Sequence, residues 1–196
     1  MVVGLGNPGR EYEDTRHNVG FRVVDLLHER ARAAPLREKL GAALGEARMG
    51  SERVLLCKPM EFMNLSGQAA VRAARFWKIE PAHTIVVHDE LDLPFGRMKL
   101  GAGGGAGGHN GLKSLIGEWG SPAFLRVRVG IGRPPAGRDA AGYVLSGFDA
   151  AERAQLPAVY DRAALAVETI VTRSLSEAMN RFNKKSDIAS ETGDGG

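Results

Sequence analysis

The feature that most constrains this chain is an alternation. Four short apolar runs, residues 2–5, 54–57, 84–87 and 125–131, are separated by stretches of helical period. Short strand-like runs alternating with helical patterns argue for a sheet covered by helices, so the pattern predicts an α/β fold. Within 19–34, Val19, Val23, Leu26, Leu27 and Ala31 form one stripe; 66–78 repeats the pattern with Ala69, Ala70, Ala73, Phe76 and Trp77. A third stripe over 158–182 uses Val159, Val167, Ile170, Val171, Met179 and Phe182. All three read as core-facing helices. Residues 97–100 (RMKL) and 125–132 (LRVRVGIG) alternate strictly, as half-exposed strands do.

At 196 residues and 43% hydrophobic content the chain can bury one substantial core, so a single domain over 1–185 is expected. No apolar run reaches the length of a membrane span, and the N-terminus lacks the basic and apolar regions of a signal peptide, which predicts a soluble cytoplasmic protein. The one cysteine, Cys57 in VLLC, precludes an internal disulfide and reads as a buried inert thiol. Formal net charge is +3, and setting aside the acids Asp187, Glu191 and Asp194 leaves residues 1–186 at +6. A basic body fits a polyanionic partner such as nucleic acid, and it also fits an ordinary solvated surface. The tail 186–196, SDIASETGDGG, is expected to be disordered.

Several familiar chemistries can be set aside. GLGNPG matches G-x-G-x-x-G, yet a dinucleotide site needs a helix opening within the glycines and an acid about 20 residues on, at the end of a second strand. Here the next helical period starts near Val19, and Asp25 falls inside it. IVVHDE resembles the acidic strand end of a P-loop NTPase, but no G-x-x-x-x-G-K-[ST] occurs. The absence of G-x-S-x-G argues against a serine hydrolase triad. No H-E-x-x-H and no thiol pair is present, and neighbours such as His88 and Asp89 would point to opposite faces of a strand, which argues against a catalytic metal.

What remains is a polar set on four segments, GLGNPG with TRHN, KPMEFMNLSG, VVHDELD and GGGAGGHNG, placed after strands or at helix starts. They offer Asn7, His17, Asn18, Asn64, His88, Asp89, Glu90, Asp92, His109 and Asn110. His17 is the candidate general base, because imidazole titrates near neutrality and the adjacent glycines leave room for substrate. It needs a carboxylate on its other nitrogen, and spacing does not choose among Asp89, Glu90 and Asp92. Asn64 and Asn110 also suit simple helix N-caps. Arg97 and Lys99 share one strand face, as do Arg126 and Arg128; side by side they would make a phosphate clamp, or else two solvated faces.

Taken together, GLGNPGREYEDTRHNVGF, KPMEFMNLSG, VVHDELDLPFG and GGHNGLKSL closely resemble the bacterial-type peptidyl-tRNA hydrolase family, in order and across about residues 1–185. The resemblance implies a three-layer α/β/α sandwich around a twisted mixed sheet. It also implies a monomer without cofactor, metal or obligate protein partner, acting on peptidyl-tRNA at the ester between peptide and terminal ribose. His17 would be the base and Asp89 its stabiliser. Tyr12, Phe62, Asn64 and Asn110 would contact the acceptor end, and Met63 would line the cleft. Asn7 would separate blocked from free aminoacyl groups, while Lys99 and Arg128 would hold the 5′ phosphate. His109 is a further candidate. Two departures stand out: the glycine loop before His109 is longer than the family's usual one, and the segment 133–148, given a lid-like role by the resemblance, matches loosely. Plant organelle splicing factors share these motifs, so a non-catalytic RNA-binding homologue is the alternative, with a metal-dependent hydrolase of small esters as a third reading.

Overall fold

The apolar runs become the middle of a sheet. In the computed structural model, which describes residues 1–137 and 139–184, seven strands form one mixed sheet among the described residues. They are β1 (Val2–Gly4), β2 (Arg37–Lys39), β3 (Ala42–Met49), β4 (Glu52–Pro59), β5 (Ile85–Glu90), β6 (Met98–Ala102) and β7 (Leu125–Gly130), in the order β2-β3-β4-β1-β5-β7-β6. β4, β1, β5 and β7 are parallel. β2 and β3 extend one side and β6 closes the other, all antiparallel. Parallel strands buried on both faces need apolar residues throughout, which made the runs of β1, β4 and β5 legible, while β7 showed itself by its alternation.

The helices are α1 (Val19–Arg30), α2 (Ser66–Phe76), α3 (Asn110–Trp119), α4 (Ala140–Val144), α5 (Ala150–Thr172) and α6 (Leu175–Phe182). Val2 and Val87 face a core shared with Val23 of α1, Val167 of α5 and Phe182 of α6. Val3 and Val86 face the opposite core, with Ala70 of α2 and Leu115 of α3. This period-two division gives the expected three layers.

The helical expectation over 158–182 is corrected: α5 starts earlier, at Ala150, and the chain breaks at Arg173 (φ −130°, ψ −89°). α6 then restarts behind Ser174, whose hydroxyl accepts from the Glu177 N–H at 3.1 Å. Phe76 and Met179, expected in the core, are exposed. β2 and β3 were not anticipated, because β2 is wholly charged and exposed and β3 breaks up its two large apolar residues, Leu44 and Met49, with small and charged ones. Cys57 is fully buried, and burial pushes its thiol up to about 12, as an inert thiol requires. The tail 186–196 lies outside the described residues.

Two features of this frame place the site. Because β1, β4 and β5 are parallel, residues 5–9, 60–64 and 91–92 all leave the sheet at one carboxyl edge, where α/β folds open a crevice. α1 also packs almost backbone to backbone on β1 and β5: a Cβ at Gly20 would lie 2.4 Å from the Leu5 nitrogen and the Val87 oxygen. That approach brings the turn preceding α1 against the end of β5.

Candidate active site

The turn before α1 is a short 3-10 helix, Arg16–Asn18, and all three residues are buried. His17 Nδ1 lies 2.9 and 3.0 Å from the two carboxylate oxygens of Asp89, at the end of β5. An ionised carboxylate only accepts, so Nδ1 carries the ring proton and Nε2 is left bare. The other two carboxylates are engaged elsewhere: a Glu90 oxygen accepts from the Asp92 N–H at 3.2 Å, and Asp92 pairs with Arg133 at 2.5 Å. The geometry thereby selects Asp89 from the three left open by spacing.

A second imidazole reaches the same carboxylate. His109 is the N-cap of α3, and its Nδ1 accepts from the N–H groups of Gly111 (3.1 Å) and Leu112 (3.4 Å). Its proton must therefore sit on Nε2, which donates to Asp89 Oδ1 at 3.0 Å. Burial opposes the charge on Asp89, but the imidazoles of His109 and His17 outweigh it and hold the carboxyl below the usual carboxylate range. The ligand atoms of His17, Asp89 and His109 lie within 4.8 Å of one another, close enough for a cation. Ligation by His109 Nε2 would require moving its proton and giving up the α3 cap, so the donor set fits a hydrogen-bonded relay better. Behind it His88 is buried, donating from Nδ1 to the Asp89 carbonyl at 2.7 Å. Burial, reinforced by His109, pushes its imidazole down to about 3 and keeps it neutral.

The amides are set with equal care. The Asn18 side chain brackets the Asn7 backbone, accepting from its N–H at 2.8 Å and donating to its carbonyl at 2.9 Å. Asn7 Oδ1 in turn accepts from the Met63 N–H at 2.7 Å. The Asn7 carbonyl is thus engaged, and its NH2 is the end left for a ligand. Met63 itself is buried against Gly111, so it joins the two turns and presents little surface to the cleft. Neither Asn64 nor Asn110 is an N-cap: Leu65 and His109 hold those positions. Both asparagines are exposed, with their amides free of that duty. Phe62, 57% exposed, meets half-buried Tyr12 edge to face at 6.4 Å, making an aromatic ledge on the surface.

A cleft of about 430 Å3 is lined by His17, Asp89, His109 and Asn110, with Gly107 on one wall and Val144 of α4 on another. A larger groove, about 670 Å3, lies between α1 and α5 among acidic residues and reaches none of the candidate residues. On the sheet face, Lys99 and Arg128 are register partners across β6 and β7, the first exposed and the second half-buried. Arg126, grouped with Arg128 by periodicity, is different: it is buried, and its guanidinium binds the carbonyls of Gly104 and Gly105. It braces the glycine loop. The supporting role of Glu152 was also missed, although the D-x-x-E spacing of Asp149 and Glu152 is a capping-box signature and both reciprocal bonds form.

A carboxylate-held imidazole with a bare nitrogen, set among neutral amides at the carboxyl edge of an α/β sheet, is equipment for turning water on an acyl carbonyl. The fold and site together define a hydrolase. The family model described as peptidyl-tRNA hydrolase matches residues 1–190, and the chain belongs to that family. It is 51% identical over 185 residues to the peptidyl-tRNA hydrolase of Nocardia farcinica, covering 93% of this chain and 95% of the relative. With that of Sorangium cellulosum it shares 49% over 187 residues, 94% of this chain and 84% of the relative. The crystal structure of peptidyl-tRNA hydrolase from Acinetobacter baumannii superimposes with a TM-score of 0.87 at 37% identity, covering 93% of each chain. These likenesses favour the enzyme over the RNA-binding alternative.

Proposed function

We propose that His17 is the general base with which this peptidyl-tRNA hydrolase cleaves the ester between the peptide and the 3′-terminal ribose of tRNA. The observation that carries this is the bare His17 Nε2, whose ring is held by Asp89 through Nδ1. Nε2 takes a proton from water as the water oxygen attacks the ester carbonyl; the imidazolium then returns it to the departing ribose oxygen. Asp89 stabilises the transient cation, and His109 holds Asp89 in place. The amides of Asn64 and Asn110 donate to the carbonyl oxygen as it becomes negative. Tyr12 and Phe62 supply stacking surface for the unpaired acceptor end. Lys99 and Arg128 bind the 5′ phosphate without reading sequence, as a substrate class comprising many tRNAs demands. No step calls for a metal or cofactor. No helix among the described residues is long and apolar enough to cross a membrane. We further propose that the protein acts as a cytoplasmic monomer without an obligate protein partner.

The test is His17→Ala assayed on N-acetyl-aminoacyl-tRNA. Turnover should fall by about 10²–10⁴-fold, the usual value of general-base assistance, while tRNA affinity is retained. Near-normal turnover would remove His17 from the role.

A further inference from the structure

Beside the base sits a buried cation that the chemistry above leaves without a task. Arg16 is 5% exposed, and its guanidinium makes a bidentate pair with Glu152 of α5 at 2.8 and 2.6 Å. The guanidinium carbon also lies 4.4 Å from the Tyr143 ring centroid and 4.6 Å from that of Phe148. Tyr143 belongs to α4, whose Ala140, Ala141 and Val144 wall the cleft that holds His17 and Asp89. The backbone repeats the link: the Arg16 N–H donates to the Ser146 carbonyl at 3.0 Å, and Thr15 forms an antiparallel bridge with Gly147.

α4 is otherwise lightly held, with Tyr143 and Val144 packed against the edge of the core. It is five residues long, none of them buried, and its hydroxyl link to the sheet is Tyr143 donating to the Ile131 carbonyl at 2.9 Å. Glu152 is fixed independently, because it also accepts from the Asp149 N–H in the α5 capping box. Arg16 therefore joins three parts: the turn that carries His17, the first turn of α5, and α4 with the segment after it. A guanidinium suits this junction better than an ammonium, since its planar fork matches the carboxylate while its faces lie against aromatic rings.

We infer that Arg16 is a positioning residue that seats α4 over the cleft and aims the adjacent His17, so that wall and base are set together. The inference rests on the reading of His17 as base. Misplacing a catalytic group by about 1 Å can cost on the order of 100-fold, so loss of the latch should appear in kcat, with the stacking and phosphate contacts that govern KM left alone.

The experiment compares wild type, Arg16→Met, Glu152→Gln and the double variant on N-acetyl-aminoacyl-tRNA, with hydrogen exchange measured on the same proteins well below their melting temperatures. Expected are a kcat loss of roughly 10–100-fold in Arg16→Met with KM within about threefold, and a loss in the same direction in Glu152→Gln. The double variant should be no worse than the poorer single, as for residues acting through one contact. Amides of residues 143–149 should exchange faster while those of β1 and β5 keep their protection. Should Arg16→Met not fold, Arg16→Lys makes the same comparison, keeping the charge and losing the fork. Fast exchange at 143–149 with full kcat would overturn the inference, as would a salt-dependent loss confined to KM, which would make Arg16 a direct tRNA contact. If His17→Ala retains turnover, the base assignment fails instead, and the exchange comparison still decides whether Arg16 seats α4.

Discussion

Asn7 shows how one backbone contact changes what a side chain can recognise. A free asparagine amide both donates and accepts, but with Oδ1 taken by the Met63 N–H, only the NH2 of Asn7 is left to meet substrate. A blocked aminoacyl group offers a neutral carbonyl that can accept from it. A free α-ammonium is itself all donors, and pairing it with the Asn7 NH2 leaves its desolvation uncompensated. Asn7→Asp keeps the acceptor for Met63 and presents a second, negatively charged oxygen. The ratio of kcat/KM for N-acetyl-aminoacyl-tRNA over the unblocked form should therefore narrow, from losses on the first and gains on the second. Measuring both substrates with both proteins checks this, and an unmoved ratio would make Asn7 a loop-shaping residue only.

At the level of elements, the start of α3 combines two functions in one ring. His109 caps the helix through Nδ1 and holds Asp89 through Nε2, so a single substitution to alanine removes both. Asparagine separates them, because its shorter side chain still caps well but does not extend to Asp89. His109→Asn should stay within about 0.5 kcal/mol of wild type in urea unfolding, whereas His109→Ala should lose about 1 kcal/mol, the usual value of a cap. Turnover should fall in both. If the asparagine variant turns over normally, the bond from His109 to Asp89 has no part in the reaction. β6 and β7 illustrate the opposite case: period-two spacing correctly put Arg126 and Arg128 on one face, but the glycine loop claimed only the first of them.

The whole molecule carries its acid sensitivity in the core beneath the site. His88 has its folded pKa lowered from the ordinary 6.5 to about 3 by burial. Between those values the unfolded chain takes up a proton that the folded chain does not, so unfolding free energy falls as pH falls, by up to about 1.4 kcal/mol per unit. Above pH 7.5 the group contributes nothing to the slope. Asp89, held below the usual carboxylate range, acts in the same direction lower down: its stabilisation is complete above the unfolded carboxyl pKa and declines as pH drops below it. Urea midpoints should therefore fall steadily from pH 7 to pH 4. His88→Gln, which does not titrate, should flatten that decline; an unchanged slope would show that His88 is not the proton acceptor.

Much of this protein was determined by its local sequence. The four central strands, the stripes of α1 and α2 and the apolar part of α5 were legible because each expresses its burial in its own period. The polar motifs, read by type and order, pointed to the family and to His17. Where neighbours in space rather than in sequence decide, spacing and periodicity were silent. Asp89 lies 72 residues from His17. Glu152, which anchors Arg16, is 136 residues away from it. The break between α5 and α6 turns on a serine cap, and β2 and β3 lack a continuous apolar run. The tautomer of His109, the outward NH2 of Asn7 and the diversion of Arg126 each follow from one hydrogen-bond partner that only the packed fold supplies. Periodicity records which face is buried; it holds no record of which donor meets which acceptor, and at this site those meetings decide the chemistry.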